Sequence, residues 1–234
     1  MTILLAIDTA TTACSVALSI DGDIRQQWVA TPREHTRLVL PMVDALLAQA
    51  GVALGRVDAI AFTAGPGSFT GLRIGFGVVQ GLAFGADLPV VPVSTLAVLA
   101  RAAATRYGLR NALVVPALDA RMGEVYWGVY RVGEEALETV RGDAVDAPSA
   151  VAAGVGHAVD VGVGDGWGPL SGVLGGALID ASLTPDAAST AALAAPIVAG
   201  AGGVPVEQAE LLYIRNEVTW KKRQKIRTPS AETP

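Results

Sequence analysis

Two segments of the sequence carry residues whose types and spacing could bind phosphate. The first, Ala64–Arg73, places three glycines and two hydroxyl side chains between a predicted strand and a predicted helix. Free N–H groups at a helix N-terminus attract anions, and the helix dipole adds to this attraction. The same pattern also fits a tight turn followed by a simple helix cap. The candidate phosphate-binding residues of this loop are Gly65, Gly67, Ser68 and Thr70.

The second segment is Asp8–Thr12, at the end of the first predicted strand. A carboxylate and hydroxyls at the carboxyl end of a strand could hold a hydrated Mg²⁺ ion or phosphate oxygens. An ordinary strand-end turn, capped by Asp8 and Thr9, is the alternative interpretation. Asp8, Thr9 and Thr11 are therefore further candidates for nucleotide or phosphate binding.

Two other clusters have less specific chemistry. Asp119–Glu124 holds three charged side chains in six residues, which could form an acid–base set or a local ion-pair cluster that shapes a turn. Tyr213–Asn216, with Trp220 nearby, predicts that the end of the chain docks onto the body or onto another chain. Cys14 is expected in the core, and His35 is expected to decorate the first turn of a helix.

Composition excludes several classes of protein. The chain has 234 residues, 51% of them hydrophobic and 17% charged, which excludes a disordered chain. One cysteine and two histidines argue against a metal centre. All three lysines lie within residues 221–225, so no P-loop or Schiff-base lysine is available in the body of the chain. No signal peptide and no membrane span are expected, which predicts a cytoplasmic location.

The apolar patterns predict an α/β protein with two lobes, residues 1–108 and 109–234. A helical pattern opens at Thr31-Pro32, and Pro41 within it predicts a bend or a late helix start. The predicted strands are Thr2–Ile7, Ala13–Ile20, Asp23–Ala30, Val57–Phe62, Val90–Val93, Ala112–Leu118 and Glu124–Val132. Asp21-Gly22 predicts a hairpin turn between the second and third of these strands, and Asp119–Gly123 predicts a turn between the last two. The other predicted helices are Gly71–Gly85, a helix from Ser94 to Tyr107, Ser149–Gly154 and Thr190–Gly200.

These motifs together resemble one family over nearly the whole chain. The matching stretches are Ala6–Thr11, Pro32–Thr36, Gly65–Gly75, Val93–Leu96, Asp119–Tyr126 and Tyr213–Asn216. They are similar to the bacterial TsaB (YeaZ) family. The resemblance implies a two-lobed actin/sugar-kinase/Hsp70-like fold with mixed sheets and flanking helices. It also implies a role in making N6-threonylcarbamoyladenosine beside the anticodon of tRNAs that read codons beginning with A.

In that pathway the family member is a non-catalytic subunit that supports its paralogue TsaD, joined by the ATPase TsaE. The paralogue binds metal through a His-His-Met-Glu-Ala-His stretch, where this chain has Ser94–Leu99. Neither Thr95 nor Leu99 suits a transition metal, so no metal is expected. Where the paralogue has a phosphate loop, this chain has Leu118–Arg121, whose Asp119 would repel phosphate. No cofactor is implied, ATP being bound by the partners, although weak nucleotide binding is compatible with the resemblance.

The resemblance places two helices, near Arg33–Ala50 and Gly71–Ala86, at the contact with TsaD or with a second copy of the chain. A homodimer in isolation and only indirect contact with tRNA follow from this. The alternatives are a self-sufficient ATP-dependent phosphotransferase of the same fold and a peptidase, for which no nucleophile–base pair can be assembled. The predicted interface residues are Arg33, His35, Leu38, Met42, Leu46, Arg73, Ile74, Gly77, Val78 and Gly81.

Overall fold

The part of the chain that the structure describes contains two five-stranded sheets, six α-helices and two short 3-10 helices, Leu54–Arg56 and Val206–Gln208. The computed structural model describes residues 1–134, 136–155, 159–170 and 178–215. The strands are β1 Ile3–Asp8, β2 Ala13–Ile20, β3 Asp23–Ala30, β4 Ala59–Gly65, β5 Val90–Ser94, β6 Ala112–Arg121, β7 Glu124–Val132, β8 Leu137–Asp146, β9 Val161–Val163 and β10 Leu178–Asp180. The α-helices are α1 His35–Ala50, α2 Phe69–Ala86, α3 Thr95–Tyr107, α4 Pro148–Val155, α5 Trp167–Leu170 and α6 Ala187–Gly200.

The two sheets have the same topology. In the first sheet the strand order is β3-β2-β1-β4-β5, and in the second it is β8-β7-β6-β9-β10. Each begins with an antiparallel meander of three strands, and each continues with two strands parallel to the first strand of the meander. The chain is therefore a duplicated α/β fold with one copy of this unit in each lobe.

Helices cover both faces of the first sheet, which explains the unbroken apolar runs of its central strands. Alternate residues of β1 point in opposite directions. Ile3, Leu5 and Ile7 pack in a core with α1 and α2. Leu4 and Ala6 pack in a second core with α6 and with Val98 of α3.

Helix α3 lies between the two lobes. Its Leu96 and Leu99 belong to a third core, together with Val114 of β6 and Val161 of β9. The opposite face of the second sheet is covered by α4 and α5, whose apolar side chains surround the buried Trp127. The layers of the molecule are therefore helix, sheet, helix, sheet and helix.

The C-terminal part of the chain returns to the first lobe. Ala187, Ala191 and Ala194 of α6 are fully buried against the first sheet. Val204 forms an antiparallel bridge with Val90 of β5. The predicted division at residues 109–234 is therefore wrong for residues 187–209, because their apolar side chains complete the cores of the first lobe.

Most predicted elements are present, with shifted ends. Helix α1 begins at His35 and continues through Pro41, so the predicted late start is wrong. The predicted turn at Asp119–Gly123 is shorter, because β6 extends to Arg121. Strands β8, β9 and β10 were not predicted, since their apolar alternation is weak. The Asp21-Gly22 hairpin, the helix starting at Ser94 and the predicted helices at Ser149–Gly154 and Thr190–Gly200 are confirmed.

Helix α2 has an unusual composition for a surface helix. Among the described residues it is the one helix that, by length and composition alone, could cross a membrane. Core helices of soluble proteins can have the same length and apolar composition, and the buried face of α2 packs on the first sheet. However, only 28% of its residues are buried. Much of an apolar helix is therefore left at the surface of this chain.

The return of α6 can be tested by placing a charge beneath it. Ala191→Asp puts a carboxylate with no partner into the core between α6 and the first sheet, where Ala191 is 1% exposed. We expect the free energy of unfolding in urea to fall by about 3–5 kcal/mol. The matched Ala199→Asp, at an exposed position of the same helix, should cost only about 0.5 kcal/mol through the helix dipole. Equal losses in the two variants would contradict this packing.

Candidate functional site

The two candidate phosphate-binding segments lie directly against each other. The backbone N–H of Ser68 donates to the carbonyl oxygen of Ala10 at 2.7 Å. The hydroxyl of Thr9 donates to the carbonyl oxygen of Gly71 at 2.8 Å. The loop after β1 therefore fills the space in front of the N-terminus of α2 with its own backbone.

The close approach of the two segments requires two glycines of Ala64–Arg73, Gly67 and Gly71, and the following Gly75. A Cβ atom on Gly67 would lie 2.4 Å from the carbonyl oxygen of Ala10, and one on Gly71 would lie 2.2 Å from that of Thr9. A Cβ atom on Gly75 would lie 2.2 Å from the hydroxyl of Thr9. The hydroxyl of Ser68 caps α2 by accepting from the N–H of Gly71 at 3.2 Å. Close packing and a helix cap thus account for the glycine-rich pattern.

Asp8 is fully buried at the end of β1. Its Oδ1 atom accepts hydrogen bonds from Thr63, at 2.6 Å, and from the N–H of Ala10, at 3.0 Å. Its Oδ2 atom has no partner. Burial raises the pKa of Asp8 to about 6, and the hydrogen bond from Thr63 opposes this shift. Thr11 is half-buried beside it, while Thr70 is exposed on the first turn of α2.

A second carboxylate, that of the half-buried Asp143, lies at the N-terminus of α3. The hydroxyl of Ser94 accepts from the N–H of Ala97 at 3.2 Å and donates to Asp143 at 2.5 Å. The hydroxyl of Tyr130 also donates to Asp143. Gly128 leaves room for this carboxylate, since a Cβ atom there would lie 3.0 Å from it. Burial raises the pKa of Asp143 and, as the largest cause, that of Tyr130.

The stretch compared with the metal ligands of the paralogue is occupied by packing side chains. Leu99 is fully buried in the core between the lobes, and Thr95 is buried with its hydroxyl unpartnered. Among the described residues no three His, Cys, Asp or Glu side chains are grouped to hold a metal ion. His157 lies outside the described residues, as do the three lysines within residues 221–225.

The charged cluster at Asp119–Glu124 shapes a turn. Arg121 binds Asp119 through a side-chain ion pair at 2.9 Å and through its backbone N–H at 2.7 Å. Arg121 and Met122 adopt positive φ angles of 64° and 57°. The ion-pair interpretation of this cluster is therefore confirmed for Asp119 and Arg121, while Glu124 pairs elsewhere.

The predicted interface residues differ in exposure between the two helices, and those of α1 are mostly buried. Met42 and Leu46 are 5% and 2% exposed in the core under α1, and Leu38 packs partly against the same core. Their assignment to a partner surface is wrong for Met42 and Leu46, because the apolar stripe of α1 is needed to cover the sheet. His35 is also buried rather than on the helix surface, with its Nε2 atom 3.1 Å from the carbonyl oxygen of Ala13. Arg33 remains exposed just before the helix.

Helix α2 carries the exposed part of the predicted interface. Gly77 and Gly81 are exposed, and no atom lies within 4 Å of a Cβ atom built on either. Arg73 is also exposed, while Ile74 and Val78 are half-buried. Two residues that the sequence interpretation missed extend this surface, since Phe69 is 58% and Phe84 is 76% exposed. The sequence does contain a signal for this apolar surface, since three of the four phenylalanines of the chain lie on α2.

The predicted docking of the chain's end is confirmed for the described residues. We call Leu212–Arg215 the C-terminal strap. The N–H of Leu212 donates to the carbonyl oxygen of Ala64 at 2.8 Å. Arg215 forms an ion pair with Glu124 of β7. The strap therefore runs from the end of β4 in the first lobe to the β6–β7 turn of the second.

Two lobes of equal strand order around a shared helix layer define the duplicated fold of actin, the sugar kinases and Hsp70. The family model described as "TsaD: tRNA N6-adenosine threonylcarbamoyltransferase" matches residues 29–160. The tRNA threonylcarbamoyladenosine biosynthesis protein TsaB of Escherichia coli (strain K12) is 44% identical over 229 residues, which cover 94% of this chain and 97% of that protein. A solved structure, "YeaZ from Pseudomonas aeruginosa", has 44% identity and a TM-score of 0.83, covering 91% of this chain and 100% of that one. This chain belongs to the TsaB (YeaZ) family.

A second relative has nearly the same extent. The TsaB protein of Haemophilus influenzae (strain ATCC 51907 / DSM 11121 / KW20 / Rd) is 40% identical over 233 residues, covering 94% of this chain and 96% of that protein. The match to the transferase family covers α1, α2, α3 and the strands that follow them. The transferase family model therefore spans both helices of the candidate interface in this chain.

The structural role of the glycines can be tested by comparing two positions of α2. Gly71→Ala forces a Cβ atom into the carbonyl oxygen of Thr9. We expect a loss of about 1–3 kcal/mol in the free energy of unfolding, measured in urea. Gly77→Ala, in open space on the same helix, should instead stabilise by about 0.5–1 kcal/mol through helix propensity. A phosphate loop held open for a ligand would show no such difference.

The buried carboxyl of Asp8 should make stability depend on pH. Its pKa is about 6 when folded against 3.8 for an exposed carboxyl, so between these values the folded state binds more protons than the unfolded state. Stability from this group therefore falls by about 3 kcal/mol as pH rises through that window. Asp8→Asn should remove this slope in urea titrations repeated across the window. Asp44→Asn, at an exposed site, should keep the pH dependence of the wild type. If stability of Asp8→Asn falls with pH as steeply as that of the wild type, Asp8 is not the group responsible.

Proposed function

We propose that this chain is a non-catalytic subunit in the synthesis of N6-threonylcarbamoyladenosine in tRNA, and that it binds and supports the transferase paralogue TsaD. The observation that carries the proposal is the exposed apolar face of α2. Membership of the TsaB family, whose relatives are named for this pathway, supplies the biochemical setting. The ATPase TsaE joins the pair, tRNA is contacted through TsaD, and the complex works in the cytoplasm.

The face of α2 has the composition of a protein–protein contact. Phe84 and Phe69 project from it as large apolar side chains, and aromatic residues are frequent anchors at interfaces. Gly77 and Gly81 lie between them and Gly85 follows Phe84, all three with open space above. Glycines at such positions let a partner helix approach the backbone closely. The neighbouring α1 also carries an exposed apolar side chain, Leu40.

Shared ancestry explains why the paralogue is the partner. A family model of the transferase matches this chain across α1 and α2, so both proteins carry the same pair of helices. Two related surfaces can pair about a pseudo-twofold axis, as two identical surfaces do in a symmetric dimer. In the absence of the paralogue, a second copy of this chain is then the expected occupant, which gives a homodimer in isolation.

The chemistry of the described residues supports the assignment of a non-catalytic role. Backbone of the loop after β1 fills the position where a phosphate would meet the N-terminus of α2. Two surface cavities, of about 410 and 240 Å³, lie beside the connection from β7 to β8 and are not lined by Asp8 or the glycine loop. The one observation that favours the alternative phosphotransferase is the unpartnered Oδ2 atom of Asp8.

The proposal is tested on the surface of α2. Gly77→Glu adds a carboxylate at an open position, so the substitution leaves the fold intact. When a partner helix docks there, however, the carboxylate is buried without a partner. We expect the affinity for purified TsaD to fall at least about 100-fold in calorimetry. Reconstituted modification of tRNA should fall with it. Gly77→Ala serves as the control and should bind normally.

Two outcomes would contradict the proposal. One is undiminished formation of the modified nucleoside when this chain is omitted from the reconstitution. The other is steady ATP turnover by the isolated chain that requires Mg²⁺ and is lost in Asp8→Ala, which would favour the phosphotransferase. We use Gly77 rather than Leu38 as the test position because Leu38 also packs against the core.

A further inference from the structure

The C-terminal strap is built onto the end of the α2 face. A Cβ atom on Gly65 would lie 2.6 Å from the carbonyl oxygen of Leu212, so the strap fits only against a glycine here. Gly65 itself has a φ angle of 122°, which favours glycine. Residues after Leu212 then cross the first turn of α2. The strap is therefore held in place before any partner binds.

Tyr213, Arg73 and Phe69 form one exposed cluster at this end of the helix. The guanidinium carbon of Arg73 lies 3.7 Å from the centre of the Phe69 ring and 6.0 Å from that of Tyr213. The Nε atom of Arg73 donates to the hydroxyl of Tyr213 at 3.2 Å. Tyr213 remains 51% exposed. Two aromatic rings thus hold one arginine in a defined orientation at the surface.

The guanidinium of Arg73 retains donors for a further ligand. Only its Nε atom has a hydrogen-bond partner within the described ranges, and no carboxylate of those ranges lies within ion-pair distance. The two terminal nitrogens of an arginine bind a carboxylate side by side. Stacking on the two rings lowers the entropy that is lost on forming such a pair. The exposed cluster has the residue types that dominate binding energy at interfaces.

The other end of the strap is fixed to the second lobe. The side chain of Arg215 is only 16% exposed and pairs with Glu124. Its NH1 atom also lies 3.2 Å from the sulfur of Met122, in the β6–β7 turn. Arg215 follows Tyr213 by two residues. This ion pair therefore limits how far Tyr213 can move from Arg73.

We propose that the C-terminal strap completes the docking face of α2, with Phe69, Arg73 and Tyr213 receiving a carboxylate side chain of the transferase paralogue. Arg215 and Glu124 are positioning residues that keep Tyr213 in contact with Arg73. The inference rests on the proposed function and adds to it the chemistry of the partner at this end of the interface. It also connects two sequence motifs, Tyr213–Asn216 and Asp119–Tyr126, that docking through α2 alone leaves without a role.

The experiment measures affinity for purified TsaD by calorimetry at two salt concentrations. Arg73→Ala and Tyr213→Ala should each weaken binding about tenfold, and added salt should weaken wild type more than Arg73→Ala. Tyr213→Phe, which removes only a hydroxyl, should cost about two- to threefold. Arg131→Ala is the control and should bind as wild type, because Arg131 is exposed on β7 of the second lobe, where it pairs with Glu138.

The positioning role is tested by exchanging charges. Arg215→Glu and Glu124→Arg should each weaken binding about fivefold, and the double exchange should recover most of this loss. Arg215→Lys should bind better than Arg215→Glu because it keeps the charge. A double exchange that binds no better than the single variants would overturn the positioning role.

The outcomes separate this inference from the proposed function. If Gly77→Glu abolishes binding while Arg73→Ala, Tyr213→Ala and Tyr213→Phe bind as wild type, the strap plays no part and docking through α2 stands. If Gly77→Glu also binds as wild type, the docking surface itself is wrong. Weakening by Tyr213→Ala without a change in salt dependence in Arg73→Ala would show an apolar contact in place of a carboxylate. That result would overturn the chemistry proposed here.

Discussion

The backbone contact between the loop after β1 and the first turns of α2 determines much of this structure. Gly67, Gly71 and Gly75 allow carbonyl and hydroxyl oxygens of Ala10 and Thr9 to lie where side chains would otherwise be. The contact fixes α2 against the sheet, and it thereby decides which face of the helix points outward. It also closes Asp8 off from water, which raises the pKa of its carboxyl. A loop that resembles a phosphate site is used here for packing.

Between the lobes, too, packing and internal hydrogen bonds occupy a stretch that resembles a ligand site in the paralogue. At the start of α3, Ser94 caps the helix and shares the carboxylate of Asp143 with Tyr130. Leu99 fills the core one turn further along. Ser94 of the first sheet and Asp143 of the second thus connect the two lobes directly through their side chains. In the proposed function, the surface that binds another molecule is the exposed face of α2.

Sequence patterns predicted the parts that local chemistry determines. Apolar runs located β1 to β7, a turn dipeptide located the β2–β3 hairpin, and Ser94 marked the start of α3. The inward orientation of Met42 could not be predicted, because an apolar stripe suits a core and an interface equally. The return of α6 to the first sheet depends on contacts between distant segments, and its sequence of small residues has little periodicity. The meeting of Arg215 with Glu124 is likewise a property of the folded chain alone.

The place of α6 in the first lobe has a consequence for synthesis of the protein. One face of the first sheet stays uncovered until the residues from Ala187 onward have left the ribosome, although the sheet itself is complete in sequence at Ser94. The nascent N-terminal lobe therefore presents Leu4, Ala6 and Val91 to the surrounding solution while the second lobe is being translated. Apolar surface exposed in this way favours aggregation of a growing chain, and a truncated product lacking its last fifty residues would keep that exposed apolar face.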